Sequence, residues 1–189
     1  AVANFYKDKK LLPRRFFSES NIEDLAGIYV PFWLYDCNYR GTVSFDGTKS
    51  SAVRDGDYIV TTEAHYDVER AIDLNFNDIP VDGSARLDDA LMDSLEPFDM
   101  SDVKPFRMSY LSGFFADRFD KLSDEVKNRA ESRMLTSALH IADANTGAGY
   151  TGVSRCAEHL SADPVTSRYV LLPVYTFNVN WRGTKYGFA

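Results

Sequence analysis

The sequence predicts an α+β fold, antiparallel sheets combined with helices, in two pseudo-repeated halves. Three observations predict it. A strand-like phrase occurs twice, PFWLYDCNYRGT at 31–42 and PVYTFNVNWRGT at 173–184, sharing Pro31/Pro173, Asn38/Asn180, Arg40/Arg182, Gly41/Gly183 and Thr42/Thr184. At the mismatches the chemistry is kept: Trp33/Tyr175, Tyr35/Phe177 and Tyr39/Trp181 are aromatic, Cys37/Val179 small and apolar, and Asp36/Asn178 polar. Such self-similarity marks a duplicated structural unit. Period-two runs surround both copies, and helical periodicity fills the middle.

The elements follow in order. AVANFYKDKK, the first ten residues, reads as a helix stopped by Pro13, and a helical turn over 21–25 leads into a strand from 29 to 45. Asp46-Gly47 and Asp55-Gly56-Asp57 are turn signals, with further strands at 58–62 and 65–74 in an antiparallel meander closed by 80–83. Ser84 caps a helix to Leu95, with Leu87, Leu91 and Leu95 on one face and Pro97 beyond it. A second helix is expected from 101 or 103 to 119. The clearest starts at Ser123, has Asp124 and Glu125 in its first turn, and carries the stripe Val126, Ala130, Met134, Ala138 and Ile141. Strands at 150–160 and 168–188 complete the chain. The organisation expected is a first β-rich half over 1–83, a helical connection over 84–122 and a second helix-plus-strands half over 123–189, packed as one compact unit.

The chain has 189 residues, 44% of them hydrophobic, enough for a substantial core. Its formal charge of -7, with scattered basic residues, argues against a nucleic-acid footprint in this stretch. Cys37 and Cys156 are too few for a disulfide framework or a zinc knuckle and read as small hydrophobes in a reducing compartment. Neither a membrane span nor a signal peptide is expected, and the abrupt ends suggest a fragment.

Alternation puts Trp33, Tyr35, Cys37 and Tyr39, and likewise Tyr175, Phe177, Val179 and Trp181, on the core side of each repeat strand. The other side turns polar. Asp36, Asn38 and Arg40 in the first copy and Asn178, Asn180 and Arg182 in the second form the candidate ligand-binding set, because arginine beside amides suits an anionic group. Wet strand ends leading into an Arg-Gly-Thr turn are the alternative. GAGYTG at 147–152 spells the dinucleotide fingerprint but follows a helix and enters a strand, the reverse of what phosphate binding needs. GTKS at 47–50 reads as a hairpin turn. The acids crowded into 82–102 read as a solvated face, with a carboxylate-dependent site of Asp88 and Asp89 beside His65 or Arg40 as the alternative. His140 and Asp143, one helical turn apart, could meet a metal, but no zinc motif accompanies them, and no metal or cofactor is expected.

IYVPFWLYD (28–36), HYDVER (65–70), IPVDGS (79–84), LEPFD (95–99), YLSGFFADRFD (110–120), YVLLPVYTF (169–177) and GTKYGFA (183–189) together resemble a family of uncharacterised bacterial zinc-ribbon-containing, membrane-anchored proteins. Some of these carry transcription-factor-IIB-type zinc-ribbon, helicase-like or primosomal protein N-prime labels. The resemblance implies the middle domain of such a protein, held between a zinc ribbon and an anchor on the cytoplasmic side of the membrane. It supplies no catalytic residues, and the helicase label finds no phosphate loop here. The expectation is a non-catalytic binding or scaffolding module for a protein or small anionic ligand, touching membrane only through segments absent from this chain. A carboxylate-dependent enzyme, or a part of a nucleic-acid-associated protein whose binding lies elsewhere, are the alternatives.

Overall fold

The structure is a computed structural model and describes residues 21–188. The helix expected over the first ten residues lies outside them. Strand accounts for 55% of the described residues and helix for 23%, so the fold is largely β and the balanced α+β expectation is corrected. The elements are β1 (Ile22–Asp55), β2 (Tyr58–Asp82), α1 (Asp89–Asp93), β3 (Phe115–Ala116), α2 (Ser123–Gly147), β4 (Gly152–Ala162), β5 (Thr166–Trp181) and β6 (Thr184–Phe188). The strands hydrogen-bond in the order β2-β1-β5-β6, with β3 parallel and β4 antiparallel to β1.

The correction has local causes. β1 runs 34 residues, straight through the Asp46-Gly47 turn signal, where a Cβ at Gly47 would sit 2.7 Å from the Tyr150 ring. That glycine, and GTKS with it, serves close ring packing on a strand instead of a hairpin turn. The leucine-spaced helix after Ser84 shrinks to α1, which buries only Met92. Two 3-10 turns, Met100–Asp102 and Met108–Leu111, and the two-residue β3 replace the helix expected up to 119.

Two compact units divide the chain. Among the described residues, unit 1 takes 21–33, 81–123 and 169–188, and unit 2 takes 34–80 and 124–168. The phrase at 31–42 is split between them after Trp33, while 173–184 lies wholly in unit 1, so the two copies do not mark two halves. Their glycines also differ in use: residues 40–42 continue β1, whereas Arg182 and Gly183, at φ 53° and 82°, turn the chain from β5 into β6.

In unit 2, Val43, Phe45, Val68 and Ile72 pack with Ala142 of α2. That helix buries Val126, Ala130, Met134, Ala138, Ala142 and Thr146, a strict four-residue step. The expected stripe is right as far as Ala138; Ile141 falls off it into solvent, and Thr146 satisfies its buried hydroxyl by donating to the Ala142 carbonyl at 2.8 Å. In unit 1, Phe177 and Val179 pack with Ile22, Trp181 and Phe188, the Phe177 and Phe188 rings stacking at 5.3 Å. Among the described residues no helix is long and apolar enough to cross a membrane.

Candidate functional site

The residues expected to hold an anion are placed as follows. In unit 2, Asp36 accepts from the Asp78 backbone N–H at 2.7 Å, where Asp78 takes a left-handed φ of 58°. Asn38 donates to Asp163 at 3.1 Å, and Arg40 pairs with Asp73 at 3.2 Å. In unit 1, Asn178 and Asn180 donate to Asp24 and Glu23 at 3.3 and 3.4 Å, and the Arg182 guanidinium lies 5.6 Å from the Trp181 ring centre. Lys185 joins the same two acids, whose hydrogen bond and charge hold its ammonium above the usual lysine range.

The acids of 82–102 are engaged in building unit 1. Asp88 caps α1 by accepting from Leu91 N–H at 2.9 Å, Asp89 pairs with Lys121 at 3.2 Å, and Asp99 accepts from the Ser101 N–H and hydroxyl. His65 and Arg40 belong to unit 2. Asp143, beside His140 in sequence, pairs with Arg155 at 3.6 Å. Among the described residues no group of three His, Cys, Asp or Glu side chains could hold a metal.

What unit 1 does present is an aromatic surface. On β5 the even residues Val170, Leu172 and Val174 are buried, so Tyr169, Leu171, Pro173 and Tyr175 take the other face. Pro173 is tolerated because β6 pairs with β5 only from Phe177 onward. The Tyr175 ring meets Phe114 at 5.4 Å, Phe114 meets Tyr29 at 5.1 Å, and Trp33, Phe119 and Tyr169 contact one another at 5.3–5.6 Å. A Cβ at Gly27 would lie 2.6 Å from the Phe114 ring, so the missing side chain is what seats that ring on β1. Tyr175 remains 59% exposed, and Phe106, Met108, Phe115, Phe119 and Tyr169 are exposed as well. The expectation that Trp33 and Tyr175 face the core is thereby corrected: β1 buries Val30, Phe32 and Leu34 there, and Trp33 packs among the surface rings. β5 switches the parity that it buries between Val174 and Phe177, and β1 does so between Leu34 and Tyr35.

A polar knot fixes the segment that carries Phe114 and Phe119. Gly83 N–H donates to Pro31 at 2.8 Å, and its carbonyl accepts from Asp120 and Lys121 N–H at 3.0 and 3.1 Å. A Cβ there would lie 3.2 Å from Trp33 Nε1, which itself donates to the Lys121 carbonyl. The buried Ser84 hydroxyl donates to Asp117 at 2.6 Å, and Arg86 reaches the other oxygen of that carboxylate at 2.9 Å. Burial, and secondarily the Asp117 charge, pushes the Tyr169 phenol up, so it stays a neutral donor at the surface's edge. Backbone ties and ring contacts hold these aromatics in one arrangement. Sequence reasoning missed this surface; the exposed run VKPFRMSYLSGFFADRF, read as a helix, was its one local signal.

No protein-family model matches the chain, and no solved structure matches it. It is 34% identical to "Uncharacterized protein YdjG" of Bacillus subtilis (strain 168) over 192 aligned residues, covering 100% of this chain and 55% of that protein. The chain therefore spans little more than half the length of the curated relative it matches, and the relative's printed name carries no activity.

Proposed function

We propose that this protein is a non-catalytic binding or scaffolding module that takes an apolar segment of another protein on the aromatic surface of unit 1. One observation carries this: Tyr175 and Phe119 are exposed yet packed against neighbouring rings, Tyr175 tilted on Phe114 and Phe119 edge-on to Trp33. Solvent-facing aromatics held rigid lose little entropy on binding and are the side chains in which interfaces concentrate their energy. Covering one such ring is worth about 1.5–3 kcal/mol. In a longer protein the module sits at the cytoplasmic face of a membrane through segments outside this chain. The resemblance to zinc-ribbon, membrane-anchored proteins supports that placement.

The test is a peptide array probed with the purified protein and with Tyr175→Ser. Binders rich in aromatic and aliphatic residues should emerge, and the variant should lose them by about tenfold or more while melting as the parent does. An array without binders, or binders indifferent to the substitution, refutes the assignment.

A further inference from the structure

The β1–β2 hairpin of unit 2 extends past everything that covers it. Its two-residue turn at 56–57 sets Asp55 opposite Tyr58, and counting back pairs Val53 with Val60, Lys49 with Ala64 and Arg40 with Asp73. The Arg40–Asp73 ion pair at 3.2 Å fits that count. Alternation then puts Phe45, Lys49, Val53 and Asp55 on one face together with Tyr58 and Val60.

Lower down, this is the core face, where Phe45 packs with Ala142 of α2 and Val153 of β4. β4 pairing ends at Thr48 and α2 at Gly147. Beyond them the same face runs into water, with Val53, Tyr58 and Val60 exposed by 65%, 77% and 52%. The opposite face is mostly polar, with Thr48, Ser50, Glu63 and His65, and carries one large exposed apolar side chain, Ile59, at 75%. A two-stranded ribbon is marginal by itself, and an apolar face that continues a core is patterned for burial.

Charge identifies the occupant. On the apolar face Lys49 stands at the base, 5.4 and 5.2 Å from the Tyr66 and Tyr150 ring centres, and no carboxylate pairs with it among the described residues. Asp55 stands at the tip, and among the described residues no cation pairs with it. We propose that a second copy of this chain covers the ribbon, the two ribbons packing face to face and antiparallel about a two-fold axis. Each Asp55 then meets the other copy's Lys49. The same step lays Tyr58 over the small Ala64, and Val53 and Val60 over Ser51 and Thr62, a self-complementary match of charge and size. The contact is smaller than the roughly 1,200–2,000 Å² of a standard interface, so the dimer is weak and concentration-dependent.

Sedimentation equilibrium at low salt over rising concentration tests this. The parent should pass from monomer to dimer. Asp55→Lys and Lys49→Glu each place two like-charge pairs in the dimer and should weaken it about tenfold or more, with circular dichroism unchanged. Melting should be unchanged for Asp55→Lys and lowered for Lys49→Glu only by the loss of two exposed ring contacts. Mixing the two variants in equal amounts restores two attractive pairs, and the dimer should return. A parent that stays monomeric throughout, a dimer insensitive to both reversals, or a mixture that stays monomeric would each overturn the proposal. The ribbon lies in unit 2, so none of these outcomes bears on the aromatic surface of unit 1.

Discussion

The tripeptide Arg-Gly-Thr offers a controlled comparison, because its glycine occupies two different environments. At Gly41 the backbone takes φ +146°, and a Cβ would sit 1.9 Å from the His159 carbonyl oxygen and 2.9 Å from its carbon, on the strand that pairs with β1 there. At Gly183 φ is +82°, and a Cβ would meet nothing within 4 Å. Gly183→Ala should therefore cost only the strain of a positive φ, about 1–2 kcal/mol. Gly41→Ala carries a comparable strain and also forces β4 backbone away, adding about 1–3 kcal/mol of overpacking, for a total of about 2–5 kcal/mol. Urea unfolding followed by circular dichroism measures both. Equal costs, or a larger cost at Gly183, would refute the assigned close approach of β4 to β1.

Three further outcomes are expected. Gly27→Ala drives a methyl group into the Phe114 ring and should cost about 1–3 kcal/mol while weakening peptide binding; a variant that melts and binds like the parent contradicts the seating of that ring. An aromatic disulfide reagent should label the exposed Cys156 quickly and Cys37 only on unfolding, because Cys37 is buried, and burial, with Asp163 and Glu131 beside it, pushes its thiol up; equal rates would contradict this. Burial first, then Asp124, pushes the Tyr35 phenol from 10.0 up to about 12, and Tyr39 and Tyr169 are raised too. Since the folded state holds these protons more tightly, their contribution is complete below pH 10.0 and fades as pH rises through about 12. A tyrosinate absorbance titration should show a late component that Tyr35→Phe removes, and a folded protein whose tyrosines all ionise together would exclude it.

Local sequence revealed what local forces decide. Helix α2 was legible because its first-turn acids and four-residue apolar step require nothing from elsewhere in the chain. The β-rich character around Trp33 and Tyr169 was legible from alternation. Leu87, Leu91 and Leu95 mimic a helical face, but the segment from 84 to 119 is shaped by ties from Gly83 and Asp117 to β1, which no local period encodes. Asp46-Gly47 spells a turn, yet Tyr150, about a hundred residues on, determines what Gly47 is for. The polar trios at 36–40 and 178–182 were visible as patterns, whereas their acidic partners Asp163, Asp73, Asp24 and Glu23 were not. The aromatic surface draws on Tyr29, Trp33, Phe114, Phe119, Tyr169 and Tyr175. Only the pairing of β3 and β5 with β1 brings those residues into unit 1 together.

The binding role is tested most directly by photo-crosslinking in cells with benzoylphenylalanine in place of Tyr175, and at the exposed Asp67 of β2 as a control. A discrete protein adduct from position 175, absent from position 67 and lost when Phe119→Ser is added, is the expected result. No adduct from position 175, or the same adducts from both positions, would contradict recognition through the aromatic surface.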